Sequence, residues 1–98
     1  MNEYMLDIDL PEYFDSDFIA LIPEQRAHIN SLMKKGVIRS YSLAMDRTKL
    51  WVIMHVTSEQ EVQEVFEEFP LYDYMDGDIR PLMFHQSVIN SLPKLSPN

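Results

Sequence analysis

From Glu3 to Leu10 the chain alternates: Tyr4, Leu6, Ile8 and Leu10 fall on one side, Glu3, Met5, Asp7 and Asp9 on the other. A period of two predicts a half-buried strand, which Pro11 ends. The pattern then changes. Phe18, Ile22, Ile29, Leu32 and Met33 recur at helical spacing, behind an N-cap drawn from Asp15, Ser16 or Asp17. Pro23 is expected to kink or restart this helix, since it suits the first position of a helical segment. Gly36 stops the helix after Lys34 and Lys35. Val37 to Met45 and Leu50 to Thr57 read as strands joined by a turn at Asp46-Arg47-Thr48-Lys49. Ser58 and Glu61 form a capping box, and Val62, Val65, Phe66 and Phe69 keep the 3.6-residue period of a second helix. Asp78 to His85 reads as a fourth strand.

The order strand, helix, strand, strand, helix, strand is the ferredoxin-like α+β pattern: a four-stranded antiparallel sheet with both helices on one face. The opposite face is bare in a monomer, where it would present a large apolar patch. Covering it with a second copy gives a dimeric α+β barrel. Residues 1–85 are expected to form this domain. Residues 86–98 read as a tail, with Val88, Ile89, Leu92 and Leu95 available to wrap a neighbouring subunit.

Composition narrows the partners. The 98 residues suit one domain, and a chain this short has a marginal core of its own, so a homodimer or larger homo-oligomer is expected. Sixteen acidic residues against 8 Lys plus Arg give a net charge of −8, which repels nucleic acid and anionic lipid. There is no Cys, so neither a disulfide nor a thiolate site arises. The Met-Asn-Glu-Tyr start lacks a basic segment followed by an apolar one, and no apolar run is long enough to span a bilayer, so a cytoplasmic location is expected.

Phe69-Pro70-Leu71-Tyr72-Asp73-Tyr74-Met75-Asp76 is too apolar and aromatic for an ordinary solvated loop. It also resembles a segment of muconolactone isomerases. Leu10-Pro11 closing the first strand, Gly36, Arg39 three residues later, Ser58 and His85 stand at spacings similar to that family's. The resemblance implies the dimeric α+β barrel fold and a cofactor-free proton shift in a small carboxylated or lactone compound. Such chemistry needs a general base, and a cationic or donor group for the carboxylate and developing enolate. The resemblance also implies an acidic residue about ten positions before the glycine. This chain reads Pro23-Glu24-Gln25-Arg26 there, with Arg26 nearest.

The residues themselves leave alternatives open. Asp7, Glu24 and His55 are candidates for the base. Asp7 and Asp9 would look into the barrel, where paired carboxylates raise one pKa, or would pair with Arg39 and Arg80. His55 is an acid/base candidate or a structural histidine. Arg26, on the line Ile22, Arg26, Ile29, Met33, either clamps a carboxylate or snorkels to a surface acid. Arg39, which the resemblance also singles out, is an anion-binding candidate or an ion-pair partner of Asp7 or Asp9. Tyr72 and Tyr74 are candidates to line a pocket for a planar ring, or to anchor an oligomer. His28 reads as lying on a solvated helix face. His28, His55 and His85 show no ligand spacing, and no phosphate loop or flavin or nicotinamide fingerprint occurs, so no metal and no cofactor are expected. Two other readings stand beside the isomerase: a non-catalytic small-molecule binder or structural oligomer of this fold, and a cofactor-free monooxygenase of the same superfamily.

Overall fold

The computed structural model describes residues 1–86. Its elements are β1 (Asn2–Asp9), α1 (Ser16–Lys34), β2 (Ile38–Leu43), β3 (Lys49–Val56), α2 (Glu59–Glu67), a 3-10 turn (Tyr72–Tyr74) and β4 (Asp76–Leu82). The sheet is antiparallel with order β2-β3-β1-β4, the ferredoxin-like arrangement. The expected tail, apart from Gln86, lies outside the described residues.

Helix ends follow local chemistry. The Asp15 carboxylate accepts the Phe18 amide at 2.8 Å and opens α1. At the other end Gly36 takes φ of 80°, where a side chain would be strained. The Gly36 and Val37 amides then bond the carbonyls of Met33 and Leu32, closing the helix in a Schellman motif. Pro23 does not restart the helix; one helix of 19 residues runs through it. Ser58 caps α2 through the Glu61 amide, while the Glu61 carboxylate reaches back to the Thr57 amide and hydroxyl.

The helix side of the sheet carries Tyr4, Leu6, Ile8, Leu50, Val52, Met54 and Val56, all buried against Ile29, Val62, Phe66 and Phe69. The aromatic 69–76 segment is covered by this chain's own core. Tyr72 meets the Phe66 ring edge-on at 4.8 Å, and Tyr74 meets Phe18 at 5.3 Å. His28 is half-buried rather than solvated; its ring stands edge-on to Phe69 at 6.1 Å, and its Nε2 has no partner among the described residues.

Strand β2 is irregular in a way that shapes the cavity side. Ile38 pairs with Met54 and Ser40 with Ile53, so Arg39 is an extra, bulged residue. Tyr41 then pairs with Val52, a helix-facing residue. Strict alternation from Ile38 would have sent Tyr41 to the other face; the bulge turns it toward α1.

The opposite face differs from the apolar patch expected of it. Met5, Trp51 and Ile53 occupy its middle, and Ile53 is only 4% exposed. Around them the β1–β3 register sets Glu3 opposite His55 and Asp9 opposite Lys49, with Asp7 one position along the same face. Charged side chains break up the surface. Large exposed apolar residues also occur off the sheet, among them Tyr13 at 79% on the β1–α1 loop and Met45 at 98% on the β2–β3 hairpin.

Candidate functional site

A cavity of about 890 Å³ opens on the helix side of the sheet, between the N-terminal half of α1, the β1–α1 loop and the β2–β3 hairpin. Leu10, Phe14, Phe18, Ile22, Leu50 and Met75 supply apolar wall; Tyr13, Ile19, Leu43 and Met45 form an exposed apolar rim. Concave, mainly apolar, with a few polar groups, this is the architecture of a small-molecule site.

The polar groups are few and specific. Gln25, only 3% exposed, is the one buried polar or charged residue among the described residues. Its Oε1 accepts the Leu71 amide at 3.1 Å, and its Nε2 donates to the Tyr41 hydroxyl oxygen at 3.2 Å. One side chain thereby ties α1 to β2 and to the aromatic 69–76 segment. Burial raises the Tyr41 pKa, and the hydrogen bond from Gln25 only partly offsets this.

Two arginines, Arg26 and Arg47, both exposed, also line the cavity. Neither has a salt-bridge partner among the described residues. That is notable where acids outnumber Lys plus Arg 16 to 8. Arg47 adopts φ of 64°, held in the hairpin turn by its amide's bond to the Ala44 carbonyl. The lining carboxylates are Glu12 and Asp46. Hydrogen bonds from the Thr48 hydroxyl at 2.7 Å and amide at 3.0 Å hold the Asp46 carboxyl below the usual carboxylate range. Glu12 accepts no hydrogen bond among the described residues.

The residues expected to carry chemistry divide between the two sides of the sheet. Arg26 is at the cavity. Glu24 is exposed on α1 and outside the lining. Asp7 and His55 lie on the open face. Asp7 and Asp9 pair with Lys49, at 3.3 Å and 2.7 Å, in place of the Arg39 and Arg80 partners expected. These contacts, that with Asp9 foremost, raise the Lys49 pKa. His55 Nδ1 contacts the Glu3 carboxylate, and Arg80 pairs with Asp78 at 3.5 Å. Arg39 is exposed at the bulge. Tyr72 and Tyr74 pack on the core beside the cavity, whose lining takes Leu71 and Met75 from their segment. Sequence reasoning missed Glu12, Gln25, Tyr41 and Arg47. The signal for Gln25 was a helical position, i+3 and i−4 from the apolar Ile22 and Ile29.

Residues 3–88 match the model of the muconolactone delta-isomerase family. The chain belongs to that family. The fold agrees with the crystal structure of muconolactone isomerase at a TM-score of 0.70 and 19% identity, covering 87% of this chain and 92% of that one. It also agrees with 5-chloro-2-hydroxyhydroquinone dehydrochlorinase from Burkholderia phenoliruptrix, solved in complex with 2,5-dihydroxybenzoquinone, at a TM-score of 0.61 and 16% identity, covering 85% and 95% of the two chains. At these identities the likeness is one of fold. No curated protein sequence matches the chain. Among the described residues, no cluster of three His, Asp or Glu could hold a metal ion, and no helix is long and apolar enough to cross a membrane.

Proposed function

We propose that this family member binds a small carboxylated or lactone compound in the α1–β2 cavity and shifts a proton within it without a cofactor. The observation that carries the proposal is the pair Arg26 and Arg47, exposed and without an ion-pair partner among the described residues, in the lining of an apolar cavity in an acidic protein. Arg26 holds the ligand carboxylate, where a planar fork gives two parallel hydrogen bonds. Glu12 is the lining carboxylate free to accept a proton, whereas Asp46 is made a weaker base by Thr48.

The test is proton–deuterium exchange and isomerisation of muconolactone, followed by NMR in deuterated buffer. Turnover lost in Arg26→Ala and Glu12→Gln supports the assignment. Turnover that persists unchanged in Arg26→Ala contradicts it.

A non-catalytic binder of the same compounds is the second reading. It is favoured by Gln25, because the polar side chain buried in the cavity wall is an amide and not a carboxylate. Binding of muconolactone without exchange at high protein concentration selects this reading.

The cytoplasmic location belongs to the proposal, as does a dimer pairing sheet to sheet through Met5, Trp51 and Ile53, with Asp7, Asp9 and His55 inside the interface. Sedimentation at micromolar concentration is expected to give a dimer or larger species; a folded monomer contradicts it.

A further inference from the structure

The geometry points to Tyr41 as the cavity's specificity-determining donor, a hydroxyl whose proton selects ligands that present a carboxylate or carbonyl oxygen. This deepens the cavity reading above and rests on it. The argument turns on the orientation of one amide. The Leu71 backbone N–H is a donor only, so the Gln25 group facing it at 3.1 Å must be the carbonyl oxygen. The Gln25 NH2 therefore faces Tyr41, and an amide NH2 accepts nothing. It follows that the Tyr41 oxygen is the acceptor in that contact, and its own O–H proton remains unspent.

No other partner takes that proton among the described residues, and Tyr41 lines the cavity. Gln25 thus fixes the ring through β2's neighbour α1 and leaves the hydroxyl hydrogen to the cavity. Burial keeps the phenol protonated through the neutral range, so the donor persists at working pH. A ligand oxygen meeting this hydrogen, with its carboxylate toward Arg26, is bound at two points. A hydrocarbon ring of the same shape leaves the donor unpaired, which is the stronger source of discrimination.

The test compares the full-length protein with its Tyr41→Phe variant, using muconolactone as the probe in titration calorimetry. Phe preserves the ring, so the cavity shape is kept, which matching amide NMR spectra verify. Muconolactone affinity is expected to fall about tenfold, the worth of one hydrogen bond to a charged or carbonyl oxygen. In the ligand-free protein the Gln25 side-chain NH2 resonance is expected to shift, because its acceptor is gone. Unchanged affinity for muconolactone in Tyr41→Phe overturns the role of Tyr41 and leaves the cavity reading standing. An unmoved Gln25 NH2 resonance overturns the amide orientation on which the role depends. Absence of muconolactone binding by the unaltered protein overturns the cavity reading and this proposal together.

Discussion

Replacing Gln25 by Leu tests the joint that the cavity depends on. The two side chains have similar volume, so packing is largely kept and polar satisfaction is what changes. The Leu71 amide, whose one acceptor among the described residues is Gln25 Oε1, is left without it. An orphaned buried donor costs about 1–3 kcal/mol. The lost bond to Tyr41 adds about 0.5–1.5 kcal/mol, less what cavity water restores, since that contact is only part-buried. The net destabilisation is about 2 kcal/mol, which for a domain of this size lowers Tm by about 10 °C. Thermal melts at one fixed protein concentration measure it. Tyr41→Phe serves as the internal control: it leaves the Leu71 bond intact and is expected to shift Tm by less than half as much. A Gln25→Leu melt within 2 °C of the unaltered protein (about 0.5 kcal/mol or less by the same scaling) would refute the claim that this amide ties α1 to the 69–76 segment.

Gly77 faces the core so closely that a Cβ there would stand 2.7 Å and 2.9 Å from the Phe66 ring and 3.1 Å from Leu6; Gly77→Ala is expected to destabilise by about 1–3 kcal/mol in urea titration. Arg47→Gly relieves a left-handed backbone, which stabilises the hairpin by up to about 1 kcal/mol, while muconolactone affinity falls; melts and calorimetry on the same samples separate the two effects. Thr48→Val removes the hydroxyl donor to Asp46, so the Asp46 carboxyl, now held low, should titrate closer to its ordinary range when followed by carbon-13 NMR. The sign follows from linkage: a carboxyl lowered on folding contributes stability above its unfolded pKa and loses it as pH falls through the folded value. The stability gap between Thr48→Val and the unaltered protein should therefore close on acidification.

Much of the architecture was legible because two periods, 2.0 and 3.6, separate cleanly in Tyr4 to Ile8 and in Val62 to Phe69. Boundaries moved by only a residue or two in β1, β2 and β3. The site was harder to read, for identifiable reasons. A buried Gln looks like any polar helix residue until its two partners, 16 and 46 positions away in sequence, are known. Tyr41 reaches the cavity only because Arg39 is bulged, and no turn residue or Gly marks that bulge. Asp7 and His55 lie on the strand face that alternation assigned them, but Lys49 and Glu3 engage them there, on the side of the sheet away from the cavity. Arg26 was legible since a charge on the line of Ile22 and Ile29 has to be accommodated, and the cavity accommodates it.

The central claim, that ligand enters between α1 and β2, is tested most directly by titrating muconolactone into isotope-labelled protein and mapping amide shifts. The account predicts the largest shifts at the Gln25 side-chain NH2 and at the backbone amides of Arg26, Tyr41, Arg47 and Leu71. Shifts confined to Asp7, Ile53, His55 and Arg80 would put the ligand on the open sheet face and contradict it.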